Sequence, residues 1–432
     1  MRSPAGPAPD APLSIAYLTY RGKPHVGGQG VYTRHLTKAL ADLGHHVEVF
    51  GGQPYPVLDP RVPLTELPSL DIFNDHYPGR LPAIWELTTR ENLLETAVFL
   101  TGTFPEPLAF SARAHRHLRS RVGEFDLVHD NQSLGWGIRR IEAMMPTIAT
   151  LHHPITKDRE LERRYAKNRF KRWSVGRWYS FVDMQARVAS SLPRIVVVSE
   201  NSIRDIHADM GVDYDRMRLV PVGVDPELFR PLPDVGRRPG RLITTASADV
   251  AMKGLSYLIE AMAKLRTERD VTLTVIGKPK PGRTMEMIER LGLRPHIEFV
   301  SGVTDDRIVE LYSEAELAVV PSLYEGFSLP AIEAMCSGTP LVATDGGALP
   351  EVTGADGETV LGCRAGDVES LTAAIARGLD DPELRARVGA AGRQRVLERW
   401  TWRRCAELTV EQYREVLAMP ANLEKLRRNR RC

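Results

Sequence analysis

Two glutamates, Glu325 and Glu333, stand eight positions apart around Gly326 and Pro330 in the stretch Ser322-Leu-Tyr-Glu-Gly-Phe-Ser-Leu-Pro-Ala-Ile-Glu-Ala-Met335. On one unbroken helix they would point roughly 80° apart, and a proline in its interior would cost about 3 kcal/mol. The flanks favour another arrangement. Leu317–Val320 is a short apolar run suited to a buried strand, whereas Ala331, Ile332, Ala334 and Met335 have helix-forming character and an apolar face. The stretch therefore reads as strand, tight loop, helix, with Gly326 permitting the loop backbone and Pro330 at the first helical position. Glu325 then lies in the loop and Glu333 in the first helical turn, beside free N–H groups and the positive end of the helix dipole, a natural site for phosphate. Glu333 could simply stabilise that dipole, worth about 0.3–1 kcal/mol, but this leaves Glu325 unexplained.

Four further clusters could carry chemistry. Gly27, Gly28 and Gly30 fall between a strand and a helix, where backbone can approach a ligand phosphate. The spacing G-G-x-G and the second strand's ending in Gly51-Gly52 fit a nicotinamide fingerprint poorly, and a structural turn is the alternative. His152 and His153 stand at the carboxyl end of an apolar strand, where α/β folds present ligand-facing residues. Lys253 lies just beyond the first strand of a second α/β region, placed to stabilise a leaving diphosphate or simply to be a solvated lysine. Asp213-Tyr-Asp215 has the bare D-x-D pattern of metal-dependent sugar transfer but sits in a polar turn after Gly211, which favours ordinary loop carboxylates.

The elements that must hold these residues repeat one pattern. Residues 1–12 are rich in Pro and Ala and read as a disordered tail. Strands at Ser14–Tyr20, Val47–Phe50, Asp126–His129, Thr147–Leu151 and Ile195–Ser199, with a helix led by Val31, Leu36 and Leu40, make a Rossmann-like domain over 13–218. Residues 219–240 are turn-rich and read as a linker. Strands at Leu242–Ala246, Leu273–Ile276, Ile297–Val300, Leu317–Val320 and Leu341–Ala343 then build a second α/β domain over 241–400. Residues 401–432 read as a terminal helix, from about Trp400 to Leu417, and a basic tail. Two such domains make the cleft between them the natural ligand site.

Bulk properties limit the rest. At 432 residues the chain exceeds the length at which one core stops growing, about 250–300 residues. A net charge of +2 argues against wholesale nucleic-acid binding. No apolar run nears the roughly 18 residues of a membrane helix, and the first residues lack a signal peptide's apolar core. Cys336, Cys363, Cys405 and Cys432 are far apart without metal-ligand spacing, as in a reduced, cytoplasmic protein.

Assembled in order, these pieces resemble the family 4 retaining glycosyltransferases. Glu325-Gly-Phe-Ser-Leu-Pro-Ala-Ile-Glu333 is similar to that family's E-x(7)-E signature, continued by Ala334–Ala343; Val26–Tyr32, Val220–Asp225, Lys253-Gly254, and Gly346-Gly347 with Glu351 support it, and the match spans approximately 13–417. The resemblance implies the GT-B fold, two Rossmann-like domains facing across a cleft, with the C-terminal helix crossing back to the first. It implies transfer of a hexose-type sugar from a UDP- or GDP-linked donor to an acceptor hydroxyl, without catalytic metal or cofactor beyond the nucleotide sugar itself. Glu333 would hold the ribose hydroxyls, Glu325 the donor sugar, and backbone from Gly326 through Phe327, Ser328 and Leu329 the sugar and diphosphate. Lys253 would neutralise the diphosphate, Gly28 would let the acceptor-side loop approach it, and His152, with His153 as fallback, would lie near the sugar. One departure stands out: Thr244–Met252 lacks the arginine that usually precedes the lysine, so Arg283 or an arginine of the first domain must substitute, or a weaker site suffices. A GT-B nucleotide-sugar epimerase and a non-catalytic sugar-nucleotide-binding protein are the alternatives.

The acceptor is unidentified. Between Lys157 and Trp178 nine cations alternate with Tyr165, Phe170, Trp173 and Trp178, a composition suited to an anionic membrane surface, hence peripheral association with the inner face, or to a charged, lipid-linked or envelope-glycan acceptor. A solvated helix face is the alternative.

Overall fold

The computed structural model describes residues 11–22, 28–74, 79–246 and 250–429. The tail before residue 11, Gly27 of the glycine loop, Asp249 and the last three residues lie outside the described residues. Contacts divide the chain into two compact units: one runs to Val198, with Ser202–Val220 and the chain from Cys405 onward, and the other comprises Ser199–Asn201 and Pro221–Arg404.

The first unit holds a seven-stranded sheet of β1 (Ser14–Thr19), β2 (His46–Gly51), β3 (Leu64–Glu66), β4 (Leu127–Asn131), β5 (Thr147–Leu151), β6 (Ile195–Val197) and β7 (Met217–Leu219), in the order β3-β2-β1-β4-β5-β6-β7. Every pairing is parallel, so all the carboxyl ends share one edge. β1, β4 and β5 are buried along their whole length, which is why they lack the alternating pattern of strands with one solvated face. The chain returns to this unit at Cys405 within the helix Trp402–Ala418, where the buried Tyr413 hydroxyl meets Nδ1 of His129 at 2.6 Å. The segment expected as a loose basic tail is instead the helix Pro420–Asn429, anchored by Lys425 to Glu142 at 2.5 Å and by Asn429 Nδ2 donating to the Met144 carbonyl at 2.8 Å. Its arginines mark a helix C-terminus, where positive charge is favoured by the dipole.

The second unit is a six-stranded parallel sheet of β8 (Arg238–Thr245), β9 (Thr272–Ile276), β10 (Ile297–Val300), β11 (Ala315–Val320), β12 (Leu341–Thr344) and β13 (Leu361–Cys363), in the order β10-β9-β8-β11-β12-β13. β8 begins inside the stretch read as linker, because Arg238 pairs with Ala315 of β11 and extends the ladder back that far. In each sheet the strand order reverses once, between β1 and β4 and between β8 and β11. At such reversals the loops leaving adjacent strands diverge to opposite faces, opening the crevice in which α/β folds bind ligands.

Candidate functional site

The loops that leave β8 and β11 at the second unit's reversal carry Lys253 and Glu325. Lys253 closes a short 3-10 turn, Ala251–Lys253, and Leu323 N–H donates to the Met252 carbonyl at 2.7 Å, so the two loops are joined through their backbones. Lys253 Nζ sits 2.8 and 3.1 Å from the two carboxylate oxygens of Glu325. Ser322 Oγ donates to Glu325 Oε1 at 2.7 Å, and Thr344 Oγ1 donates to the Ser322 carbonyl at 2.5 Å. Glu325 is only 8% exposed, so its charge is held by the lysine and this serine rather than by solvent.

Glycines make that closeness possible. Gly254, in the left-handed region at φ 64°, lets the lysine turn lie against the chain at Pro321; a Cβ there would fall 1.9 Å from the Pro321 carbonyl oxygen. Gly347, also at φ 64°, would bring a Cβ within 2.4 Å of the Glu325 carbonyl, which accepts from Ala348 N–H at 2.9 Å. A Gly254→Ala variant combines a backbone penalty of about 1–2 kcal/mol with a steric conflict that no rotamer relieves. Its expected outcome is a clearly lowered melting temperature, read by calorimetry.

Beyond Glu325 the loop turns into the helix Leu329–Cys336. Its preceding residue, Ser328, has φ 96°, a sparsely populated conformation for a residue other than glycine and one that concentrates at functional sites. Ser328 is 5% exposed and its hydroxyl has no hydrogen-bond partner among the described residues. Phe327 is turned inward, its ring edge-on to Trp400 at 5.4 Å, so only its backbone remains for a ligand. Pro330 is the second helical residue and Glu333 the fifth, one residue deeper than the sequence suggests and so just past the first turn. At that depth the dipole has little to offer a carboxylate, and the purely stabilising reading of Glu333 fails. Desolvation, with the Asp305 charge adding, pushes its carboxyl up to about 7. No hydrogen bond or ion pair to that carboxyl is found among the described residues.

At the first unit's reversal, β4 ends in Asn131 and β5 in Leu151, with His152 immediately after. Asn131 Nδ2 donates to Thr33 Oγ1 at 3.0 Å and to the Gln29 carbonyl at 3.3 Å, which orients its Oδ1 to accept from His152 Nε2 at 2.8 Å. Desolvation and then the His153 charge press the His152 imidazole down to about 3, so it is neutral near pH 7. With Nε2–H committed to Asn131, Nδ1 is the acceptor face of the ring. The ring stands edge-on to Tyr32 at 4.6 Å. His153 Nε2 instead meets Asp158 Oδ2 at 2.8 Å. Gly28 is the first residue of the helix Gly28–Asp42, and a Cβ on it would meet no described atom within 4 Å, so the protein's own packing imposes no need for glycine there.

The remaining candidates lie elsewhere. Asp213 and Asp215 are exposed on a 3-10 turn, with Asp213 3.7 Å from Arg216. Arg283, itself exposed, opens the helix after β9, on the same strand edge as Lys253 but without an ion pair among the described residues. Glu351 accepts from the backbone N–H groups of Glu200 and Asn201 at 2.9 and 3.2 Å. No group of three or more His, Cys, Asp or Glu among the described residues is arranged to hold a metal ion. The sequence reading missed Ser322 and Asn131, the two side chains that orient Glu325 and His152; nothing in a lone serine or asparagine marks it out before the strands bring it to its partner.

Residues 26–228 match the family model described as Glycosyltransferase Family 4, and residues 237–395 the one described as Glycosyl transferases group 1. The MMP alpha-(1->4)-mannosyltransferase of Mycolicibacterium hassiacum is 49% identical over 412 residues, 95% of this chain and 100% of the relative. The D-inositol 3-phosphate glycosyltransferase of Pseudarthrobacter chlorophenolicus is 27% identical over 431 residues, 93% of each chain. Among solved structures, sucrose-phosphate synthase from Thermosynechococcus elongatus matches with a TM-score of 0.72 at 24% identity, over 94% of this chain and 99% of that one, and the shared fold is GT-B.

Proposed function

We propose a sugar, a linkage and a set of residue roles for a chain that belongs to the family 4 glycosyltransferases. In this reading it moves a mannosyl group from a nucleoside diphosphate mannose to a glycan hydroxyl, forming an α(1→4) bond with the anomeric configuration retained. The sugar and linkage follow the similarity to the M. hassiacum enzyme over nearly the whole chain. The observation that carries the residue roles is the pairing of Lys253 with Glu325 at the strand reversal, beside a desolvated and partnerless Glu333.

Glu333 accepts hydrogen bonds from the ribose hydroxyls, two of which one carboxylate can take. Lys253 leaves Glu325 for the diphosphate, Ser328 Oγ donates its unused hydrogen to a phosphate oxygen, and Glu325 is released to accept from a sugar hydroxyl. The N–H groups that open the helix Leu329–Cys336 add positive potential. The bond from C1 to the leaving phosphate oxygen breaks, the acceptor oxygen bonds C1 on the same face, and the acceptor's proton passes to the leaving phosphate oxygen. Positioning and charge stabilisation perform this step, without a carboxylate nucleophile or a metal. His152 offers Nδ1 to a sugar hydroxyl, and Gly28 leaves room for a ligand to approach its helix N-terminus.

Thermal-shift screening against UDP, GDP, ADP and their sugar conjugates tests the donor assignment, because a ligand that binds only the folded state must raise its melting temperature. One nucleotide is expected to stabilise selectively. No shift with any of them at millimolar concentration would remove the donor reading.

A surface on the first unit favours a second element of this reading, peripheral docking on an anionic membrane. On the helix Arg169–Trp178, Phe170 and Trp173 are 74% and 62% exposed, their ring centroids 5.9 Å apart, between Arg169, Lys171 and Arg172. No helix among the described residues is long and apolar enough to cross a membrane. Each aromatic buried in the interface contributes about 1.5–3 kcal/mol, so Phe170→Ala/Trp173→Ala should weaken vesicle binding at least ~10-fold. Sedimentation with anionic vesicles at low salt decides this, and no lipid-dependent pelleting of the wild type would end the idea.

A further inference from the structure

We infer that the first unit contains a phosphate-binding pocket of its own, built from residues that the donor reading does not use. Four guanidinium groups, of Arg159, Arg163, Arg164 and Arg172, line one open cavity of about 640 Å³ formed by the helices Thr156–Arg164 and Arg169–Trp178. Nine cations lie between residues 157 and 178, yet no lysine lines the cavity. Lys157 is spent on Asp205 and Asp209, at 3.2 and 3.3 Å. The selection of arginine is informative, because a planar fork grips phosphate through two parallel hydrogen bonds where an ammonium offers a point charge.

The charges in the cavity do not balance internally. Its two carboxylates are Glu160 and Asp209, and Asp209 is already engaged by Thr156 Oγ1 at 2.6 Å as well as by Lys157. Arg159 has a carboxylate at 3.3 Å, that of the exposed Asp183. Arg163, Arg164 and Arg172 have no carboxylate partner among the described residues, and Arg172 directs its Nε–H to the Arg163 carbonyl at 3.3 Å. The helix dipole accounts for Arg163 and Arg164, which fall in the last turn of their helix, but not for Arg172 from the second helix or Arg159 from the middle of the first. Converging uncompensated guanidinium groups raise the local potential until an oxyanion offsets it.

The placement fits a ligand site. The helix Thr156–Arg164 begins four residues after His152, and the His153 to Asp158 contact fastens it to the carboxyl end of β5, the edge at which this fold presents ligands. The ligand class is a phosphate monoester or diester, either on a soluble phosphorylated molecule or in a lipid headgroup.

Calorimetric titration of inorganic phosphate into the full chain at low salt is the test. Arg163→Ala/Arg164→Ala/Arg172→Ala, all exposed positions whose loss leaves the core intact, is expected to raise Kd at least ~10-fold, whereas Lys253→Ala shifts it by no more than about twofold. Sedimentation with vesicles of phosphatidylglycerol in phosphatidylcholine then separates the two sources. Arginine-dependent pelleting assigns a lipid headgroup; arginine-dependent phosphate binding without pelleting assigns a soluble ligand. Phosphate binding that survives the triple substitution, or the absence of both phosphate and vesicle binding in the wild type, would overturn the pocket. Stabilisation selective for one nucleotide, which a pocket that grips phosphate alone does not give, tests the donor reading separately.

Discussion

Replacing Lys253 with alanine is expected to lower kcat/KM for sugar transfer about 10²–10³-fold, the usual effect of deleting one preorganised group aimed at developing negative charge. The segment Thr244–Met252 contains no arginine, so Lys253 is the only cation on the loop that leaves β8. Its position is fixed by the backbone bond from Leu323 to Met252 and by the two contacts to Glu325. Removing it also leaves the 8% exposed Glu325 with Ser322 as its remaining side-chain partner, a loss of about 1–3 kcal/mol for a poorly compensated buried group. Circular dichroism and melting curves separate that loss from the catalytic one. Arg283→Ala, on the same strand edge but without a fixed partner, should cost less than ~10-fold; an equal or larger loss would mean that the neighbouring loop carries the leaving group.

Glu333→Gln is expected to move stability and function in opposite directions. In the ligand-free protein the carboxyl is desolvated beside Asp305 and its pKa is raised to about 7. A raised folded-state value means that the protonated form is the one the fold tolerates. The corresponding stability is present below the ordinary carboxylate range and is lost as the pH rises through about 7. Glutamine removes the charge while keeping the shape, so the variant should melt a few degrees higher than the wild type at pH 8, at about 2–4 °C per kcal/mol, and show no advantage near pH 4. Donor affinity should fall roughly 100-fold, since charge-assisted hydrogen bonds to the ribose hydroxyls are replaced by neutral ones from a mixed donor and acceptor. In the wild type the same ionisation predicts weaker donor binding below about pH 7. A glutamine variant that loses stability and retains nucleotide affinity would show Glu333 to be a structural residue.

Much of this site can be read in the chain before any coordinates, and the parts that cannot share a physical cause. The Glu325 loop and the Lys253 turn announce themselves because glycine and proline punctuate them between apolar strands that are buried on both faces and so appear as plain hydrophobic runs. The strands β3, β7 and β13 escape because each is a three-residue piece at or near a sheet edge, too short to produce a run. The depth of Glu333 is misjudged by one residue because the helix start is set by the backbone of Ser328, at a φ that its residue type does not suggest. Ser322 and Asn131 are invisible for a different reason. Their roles consist of single hydrogen bonds to Glu325 and His152, and in Asn131's case the partner comes from a neighbouring strand. The helix Pro420–Asn429 reads as a tail because its composition is basic, and only its contacts to Glu142 and Met144 show what it packs on.

The central claim, that this chain transfers a mannosyl group with retention, is tested most directly by incubating the purified protein with a nucleoside diphosphate α-mannose and a mannoside acceptor and reading the anomeric configuration of the new bond by NMR. The account predicts acceptor-dependent release of the nucleoside diphosphate and an α-linked product, formed about 10²–10³-fold more slowly by Lys253→Ala. A β-linked product, or conversion of the donor alone with no new glycosidic bond, would contradict it.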